Sequence, residues 1–317
     1  MTKNKTMVGE FFLVGIQSQS PYFKFVIFAL LLAAYMMTLT GDVTILVLVS
    51  TSQRLQHPIY YFIKYLSLSE ILLTTNIVPN MMHIVLLEGG TVSFAGCITQ
   101  FYIYIASGSV ESLLLTVMSY DRYLAICRPL HYGQVMDVHL CNKLVVSTWA
   151  LSFSLVLITV ILICQLEFCG SGAMDHYFCD FAPLIELSCS DTTHLRIVVL
   201  VLSIPLVLST FLFIIVTYVC IFKAILSISS SHGRQKAFST CSSHLASVCS
   251  YYGPLIIIYV VPYRGNSLNI NKYISILYTV GTPLFNPIIY SLRNQEVRDA
   301  LKKYIVMLRS RFVSNRM

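Results

Sequence analysis

Long apolar runs separated by short polar connections dominate this chain. About 20 apolar residues suffice to cross a bilayer as a helix, and by that measure spans fall near 23–50, 58–86, 94–127, 140–164, 196–227, 235–262 and 270–292. The stretches 144–164, 197–222, 245–262 and 273–292 contain no charged residue. Behind the last span, the segment from Glu296 to Ile305 sets apolar residues at helical spacing with Arg298, Lys302 and Lys303 between them. That pattern predicts a short amphipathic helix lying on a membrane surface. The fold class expected is an all-α membrane protein, a seven-transmembrane helix bundle with a short amphipathic C-terminal helix. Its parts are an N-terminal segment 1–22, the bundle 23–292 and a tail 293–317. No internal repeat appears, so a single membrane domain is the economical reading.

Composition agrees with lipid as the main solvent. Of 317 residues, 56% are hydrophobic and 11% charged, against roughly 25% charged in a soluble domain. The net charge of +7 does not point to nucleic acid, because the basic residues sit in short loops and the tail rather than on one face. Arg54, Arg122, Arg128, Arg234, Lys236 and Arg293 with the tail lie on one side. Glu88, Glu167, Asp175, Asp180, Glu186 and Asp191 lie on the other. The positive-inside rule then puts the C-terminus in the cytosol and the N-terminus outside. The opening residues are polar, so no cleavable signal is expected and the first span serves as an uncleaved anchor. Asn4-Lys5-Thr6 is a glycosylation sequon in the outer segment.

Ten cysteines are present. Cys97, Cys169, Cys179 and Cys189 fall on the outer, oxidising side, where disulfides persist. Four cysteines allow three pairings, and the residues alone leave them open. Zinc is the competing use, but the close ligand pairs it needs are missing and His176 alone makes a weak case. Cys127, Cys141, Cys164, Cys220, Cys241 and Cys249 read as small packing residues.

Three motifs follow in order: Leu55-Gln56-His57-Pro58-Ile59-Tyr60-Tyr61-Phe62, then Met118-Ser119-Tyr120-Asp121-Arg122-Tyr123-Leu124-Ala125-Ile126-Cys127, then Pro129-Leu130-His131-Tyr132. Together they resemble the odorant receptor family of rhodopsin-like G-protein-coupled receptors. The likeness continues through Ser188-Cys189-Ser190-Asp191, through Lys236-Ala237-Phe238-Ser239-Thr240-Cys241-Ser242-Ser243-His244, and through Asn286-Pro287-Ile288-Ile289-Tyr290-Ser291-Leu292-Arg293-Asn294. The resemblance implies the pairings Cys97–Cys179 and Cys169–Cys189. It also implies a plasma-membrane receptor, in olfactory sensory cilia, that binds small odorants and raises cyclic AMP through a stimulatory heterotrimeric G protein. Asp121, Arg122 and Tyr123 would form the coupling motif, with Arg122 held by Asp121 at rest and released toward the G protein and Tyr218 on activation. Pro287 removes a backbone donor, so the last span can distort where Asn286 and Tyr290 stand. Tyr252 takes the place of the tryptophan that many other receptors use as a packing switch, since Trp149 is the only tryptophan.

By the same resemblance Tyr104, Ile105, Gly108 and Ser109 line the ligand pocket. Phe181, Leu202, Ser203, Leu206, Leu255, Ile256, Tyr259 and Thr279 would complete it. The lining suits a small, largely apolar molecule with one or two hydrogen-bonding groups. No acid stands at Tyr104, where aminergic receptors hold an amine.

Asp42, Glu70 and Glu111 lie inside apolar spans, where an unpaired acid costs about 2.5–3.5 kcal/mol. The resemblance places them together mid-bundle, at a sodium site or a water network. The family usually shows Asn in place of Asp42 and Asp in place of Glu70. Three acids in one low-dielectric pocket cannot all be charged without a cation. A packing knot is the plainer reading. Beyond a possible sodium ion no cofactor or metal is expected. A proton- or sodium-coupled transporter is the alternative function, disfavoured by the missing repeat symmetry. No catalytic constellation or phosphate loop appears, so no enzymatic activity is expected.

Overall fold

A computed structural model describes residues 9–16, 21–260 and 267–314. Five of its helices are long and apolar enough to cross a membrane: α1 (Pro21–Thr51), α2 (Pro58–Leu87), α3 (Phe94–Cys127), α5 (Val138–Ile163) and α7 (Thr193–Leu226). Helix α8 (Ser231–Val260) and the pair α9 (Ser267–Ile276) and α10 (Thr282–Arg293) pack against them. A π turn, Leu277–Gly281, joins α9 to α10. Short helices α4 (Pro129–Val135) and α6 (Phe181–Glu186) sit in connections, and α11 (Gln295–Ser314) follows the last of the long elements.

Helix starts follow local chemistry. Pro58 and Pro129 open α2 and α4, where a missing backbone N–H costs nothing. Ser93 caps α3 by accepting from Gly96 N at 3.1 Å, and Asp137 caps α5 by accepting from Leu140 N at 2.7 Å. Helix α3 is the axis, in contact with α2, α5, α7 and α8. Burial divides into clusters at each end of the bundle. One gathers Leu55, Phe62, Met118 and Tyr290, another Phe11, Cys97, Phe101 and Cys179.

Three short strands form a lid that the hydrophobic pattern did not predict. β1 (Glu10–Leu13) lies between β2 (Gly90–Ser93), antiparallel with Glu10 opposite Ser93, and β3 (Ala173–Met174), parallel with Phe12 opposite Ala173. Phe11 and Leu13 are buried while Glu10 and Phe12 are exposed, the period-two alternation of a half-buried strand. Both disulfides form, Cys97–Cys179 with Cα atoms 5.4 Å apart and Cys169–Cys189 with 5.8 Å. They fasten this lid to α3 and fold the 165–195 connection upon itself.

Candidate functional site

Side chains that bear chemistry gather at three levels along α3. At the level of the disulfides, Tyr104 meets Phe178 edge-on at 4.9 Å and Tyr278 at 6.1 Å. Phe181 stacks on Phe101 at 6.3 Å. Ile105 packs beside them, and the Ser109 hydroxyl donates back to the Ile105 carbonyl at 2.9 Å. Leu202, Ser203 and Leu206 share a half-buried face of α7. Thr279 is fully buried beside Tyr177. Leu255 joins the same aromatic cluster as Tyr104, Tyr251 and Tyr278. Ile256 does not: it is 44% exposed and belongs to none of the buried clusters. One residue of register along α8 turns a side chain by about 100°, which carries it off the inner face. The side chain of Tyr259, and all of Asn4, lie outside the described residues.

The lid is closed by a lysine. Lys272 of α9 is buried and donates to the Gly15 carbonyl at 2.9 Å and to Asp175 at 2.6 Å. One cation therefore ties the N-terminal strand, the 165–195 connection and the last long helical element. His176 beside it packs against Tyr177 and Phe178 at 4.7 and 4.5 Å. Burial, and then the Lys272 charge, pull its imidazole down to about 3.

At mid-bundle, Asp42, Glu70, Glu111 and Asn286 are all buried. The Asn286 amide nitrogen donates to Glu70 and, at 3.2 Å, to Glu111. Asp42 lies beside Ser67 and Glu70, yet among the described residues neither of its oxygens meets hydrogen-bond geometry, nor does Oδ1 of Asn286. Among the described residues no group of three His, Cys, Asp or Glu is placed to hold a metal ion. An amide thus links Glu70 and Glu111, with Asp42 beside Glu70. Gly41 lets α1 approach α10 closely here: a Cβ on it would lie 2.7 Å from the Pro287 ring. At the next residue of α3, Ser112 closes with Thr210 and Tyr252 a triangle of hydroxyls with sides of 2.9 to 3.1 Å that joins α3, α7 and α8.

At the far end, Asp121 takes the Arg122 Nε at 2.8 Å and the Tyr132 hydroxyl at 2.8 Å. Burial and the Asp121 charge push the Tyr132 phenol up. Tyr218 does not reach toward Arg122; its hydroxyl meets His244 Nδ1 at 2.7 Å, and His244 Nε2 meets the Leu115 carbonyl at 3.0 Å. In a neutral imidazole this geometry puts the proton on Nε2, with Nδ1 accepting from Tyr218. Tyr123 is half-buried between the clusters on either side of it. A cavity of about 770 Å³ opens here, lined by His57, Tyr60, Arg122, Tyr132, His232, Gln235, Ser239, His244, Tyr290 and Glu296 among others. Tyr132 and His244 stood within motifs legible in the sequence but carried no role there. Lys272, Tyr251 and Tyr278 gave no signal beyond being polar atoms in or beside an apolar span.

Comparison with known proteins matches this layout. The family model described as olfactory receptor covers residues 31–308. Olfactory receptor 6F1 of Homo sapiens is 43% identical over 302 residues, 95% of this chain and 98% of its own. Olfactory receptor 6C4 of Homo sapiens is 41% identical over 300 residues, 95% and 97%. Olfactory receptor 1M1 of Mus musculus is 41% identical over 303 residues, 96% of each. The matched region includes Asp42, Glu70 and Glu111, so the buried acids belong to a receptor chain and the transporter alternative has no support. With one family model over most of its length and relatives matched nearly end to end, the chain belongs to the olfactory receptor family, multi-pass G-protein-coupled receptors of sensory transduction and not enzymes.

Proposed function

We propose that this chain is a seven-transmembrane odorant receptor that binds small, largely apolar volatile molecules at the disulfide end and activates a stimulatory heterotrimeric G protein at the other, raising cyclic AMP. The seven spans are α1, α2, α3, α5, α7, α8 and the α9–α10 element, with the lid outside the cell and α11 along the inner leaflet. Basic loops on the Arg122 side favour this orientation. Asn4, on the outer side, would carry glycan, and sensory cilia would be the site of display.

The observation that carries the reading is the cavity around Arg122, open between α3, α8 and the α10–α11 junction. It is large enough to take the end of a partner helix. Arg122, paired with Asp121, stands on its wall. A partner that binds only with α8 swung out, and an odorant that favours the same arrangement, would shift one equilibrium together. The lining at the opposite end, Tyr104, Ile105, Phe181, Leu206 and Thr279, is apolar with a few hydroxyls and suits a neutral ligand.

The test is cyclic AMP in cells displaying the chain, challenged with small volatiles, beside an Arg122→Ala control. A ligand-dependent rise that the control abolishes is expected. Silence across the panel despite confirmed display would overturn it. A sodium ion is a further proposal for the mid-bundle acids: the oxygens left without partners, on Asp42 and Asn286, are hard donors that suit such a cation. Sodium titration of basal signalling decides this, with sensitivity lost in Glu111→Gln supporting the ion and insensitivity of both chains leaving a hydrogen-bonded knot.

A further inference from the structure

Gly108 lies on the inner face of α3 where two tyrosines from other elements converge. The Tyr251 hydroxyl of α8 donates to the Gly108 carbonyl at 2.8 Å. The Tyr278 hydroxyl, from the π turn, occupies the space where a side chain at 108 would begin, and the two rings stand 5.7 Å apart. A Cβ built on Gly108 overlaps the Tyr278 oxygen, yet lies 3.6 Å from the ring carbon Cζ, an ordinary contact. The notch thus accommodates one atom, the phenol oxygen.

The π turn is what delivers it. The turn is flanked by α1, α2 and α8, so Tyr278, Thr279 and Val280 are buried one after another. Turns of this kind are uncommon inside helices and recur at functional sites. Thr282 secures the turn to α8 by donating to the Ser250 carbonyl at 2.8 Å. Above the notch Tyr278 faces Tyr104, and Tyr104 faces Phe178 of the lid.

We propose that Tyr278, seated in the Gly108 notch, is the positioning residue that senses ligand depth: a neutral, compact molecule reaching past Phe178 and Tyr104 lifts its hydroxyl from the notch and frees α8 from α3. Ligands too short to reach that level would occupy the site without activating. The trigger rests on the odorant-receptor reading above; the seat itself does not.

A four-chain cycle tests it: the parent receptor, Gly108→Ala, Tyr278→Phe and the double variant. All are full-length in lipid nanodiscs, with an environment-sensitive dye attached at Gln235 of α8 through a bio-orthogonal side chain. Gly108→Ala is expected to raise the ligand-free open population about five-fold or more, the low end of couplings between sites. Tyr278→Phe empties the notch and opens α8 partly, and adding Gly108→Ala to it changes nothing further, because Cζ already clears the methyl. A closed population unchanged by Gly108→Ala, or the same rise in both backgrounds, overturns the proposal. Should Gly108→Ala fail to reach the membrane, Tyr278→Phe decides: an unchanged dye signal refutes the seat. A dye response obeying the cycle without cyclic AMP from any chain sustains the seat and removes the coupling reading instead.

Discussion

At His176 the surroundings allow one protonation state. The ring is buried between Tyr177 and Phe178, Nδ1 has no hydrogen-bond partner among the described residues, and the Lys272 ammonium stands near, with Asp175 and the Phe178 backbone offsetting it in part. Folded, the group titrates at about 3 rather than its ordinary 6.5. The opened lid therefore binds more protons than the closed one between those values. Stability contributed by the neutral ring is complete above pH 6.5 and drains away as pH falls toward 3. At 1.36 kcal/mol per pH unit, the lid of the parent chain should lose on the order of 2 kcal/mol between pH 7.5 and 5.0 that a His176→Phe chain does not lose. Thermal melting of the two purified chains at both pH values measures the difference. Parallel pH dependence would mean that the ring is not held neutral.

Between elements, contact distance decides what a small residue is worth. Gly41 of α1 has the Pro287 ring where a methyl would go, with Cβ at 2.7 Å and Cγ at 3.1 Å, and a proline ring cannot swing aside. A methyl on Gly253 of α8 would meet nothing within 4 Å among the described residues. Gly41→Ala should cost about 1–3 kcal/mol as overpacking, while Gly253→Ala should be neutral or gain up to about 1 kcal/mol from helix propensity. Melting temperatures that moved the same way in both would show that α1 and α10 do not pack as described. The long helices were legible because each is built on a long, predominantly apolar run, and their ends fell within a few residues of the expected spans. The lid was not, since a strand such as Glu10–Leu13 is too short to show a period and is made by its neighbours. The π turn was not either, because its residues read as ordinary helix and only the meeting of Tyr278 with Gly108 shows what the widened register achieves. Asp121 and Arg122 were readable from their motif, whereas the two disulfide pairings came only from the family resemblance, because four cysteines by themselves allow three pairings. Ile256 was misplaced because a pocket list needs rotational register, and a single step of register carries a side chain off the inner face.

Across the whole molecule, α3 carries polar joints at 108, 111, 112 and 115, where 108 precedes the adjacent pair 111 and 112 by three and four residues and 115 follows it by four and three, so all lie close to one stripe. Tyr251 meets the Gly108 carbonyl, Asn286 meets Glu111, Ser112 joins Thr210 and Tyr252, and His244 meets the Leu115 carbonyl. Three of the four bind α8, so α8 cannot leave α3 as a rigid body without breaking them. The joint nearest Arg122 has the longest reach, because His244 also holds Tyr218 of α7, ring stacked on ring at 5.7 Å. His244→Phe keeps the stack and removes both hydrogen bonds. At a net worth of about 0.5–1.5 kcal/mol per hydrogen bond, about 1–3 kcal/mol for the two, the expected rise in ligand-free signalling is on the order of five- to 150-fold. Ser112→Ala should do less, because Tyr252 keeps Thr210 as a partner at 2.9 Å. Cyclic AMP per displayed receptor, without ligand, ranks the two variants. A larger effect from Ser112→Ala would place the restraint on α8 at mid-bundle, whereas the reach of His244 across three helices places it at the Arg122 cavity.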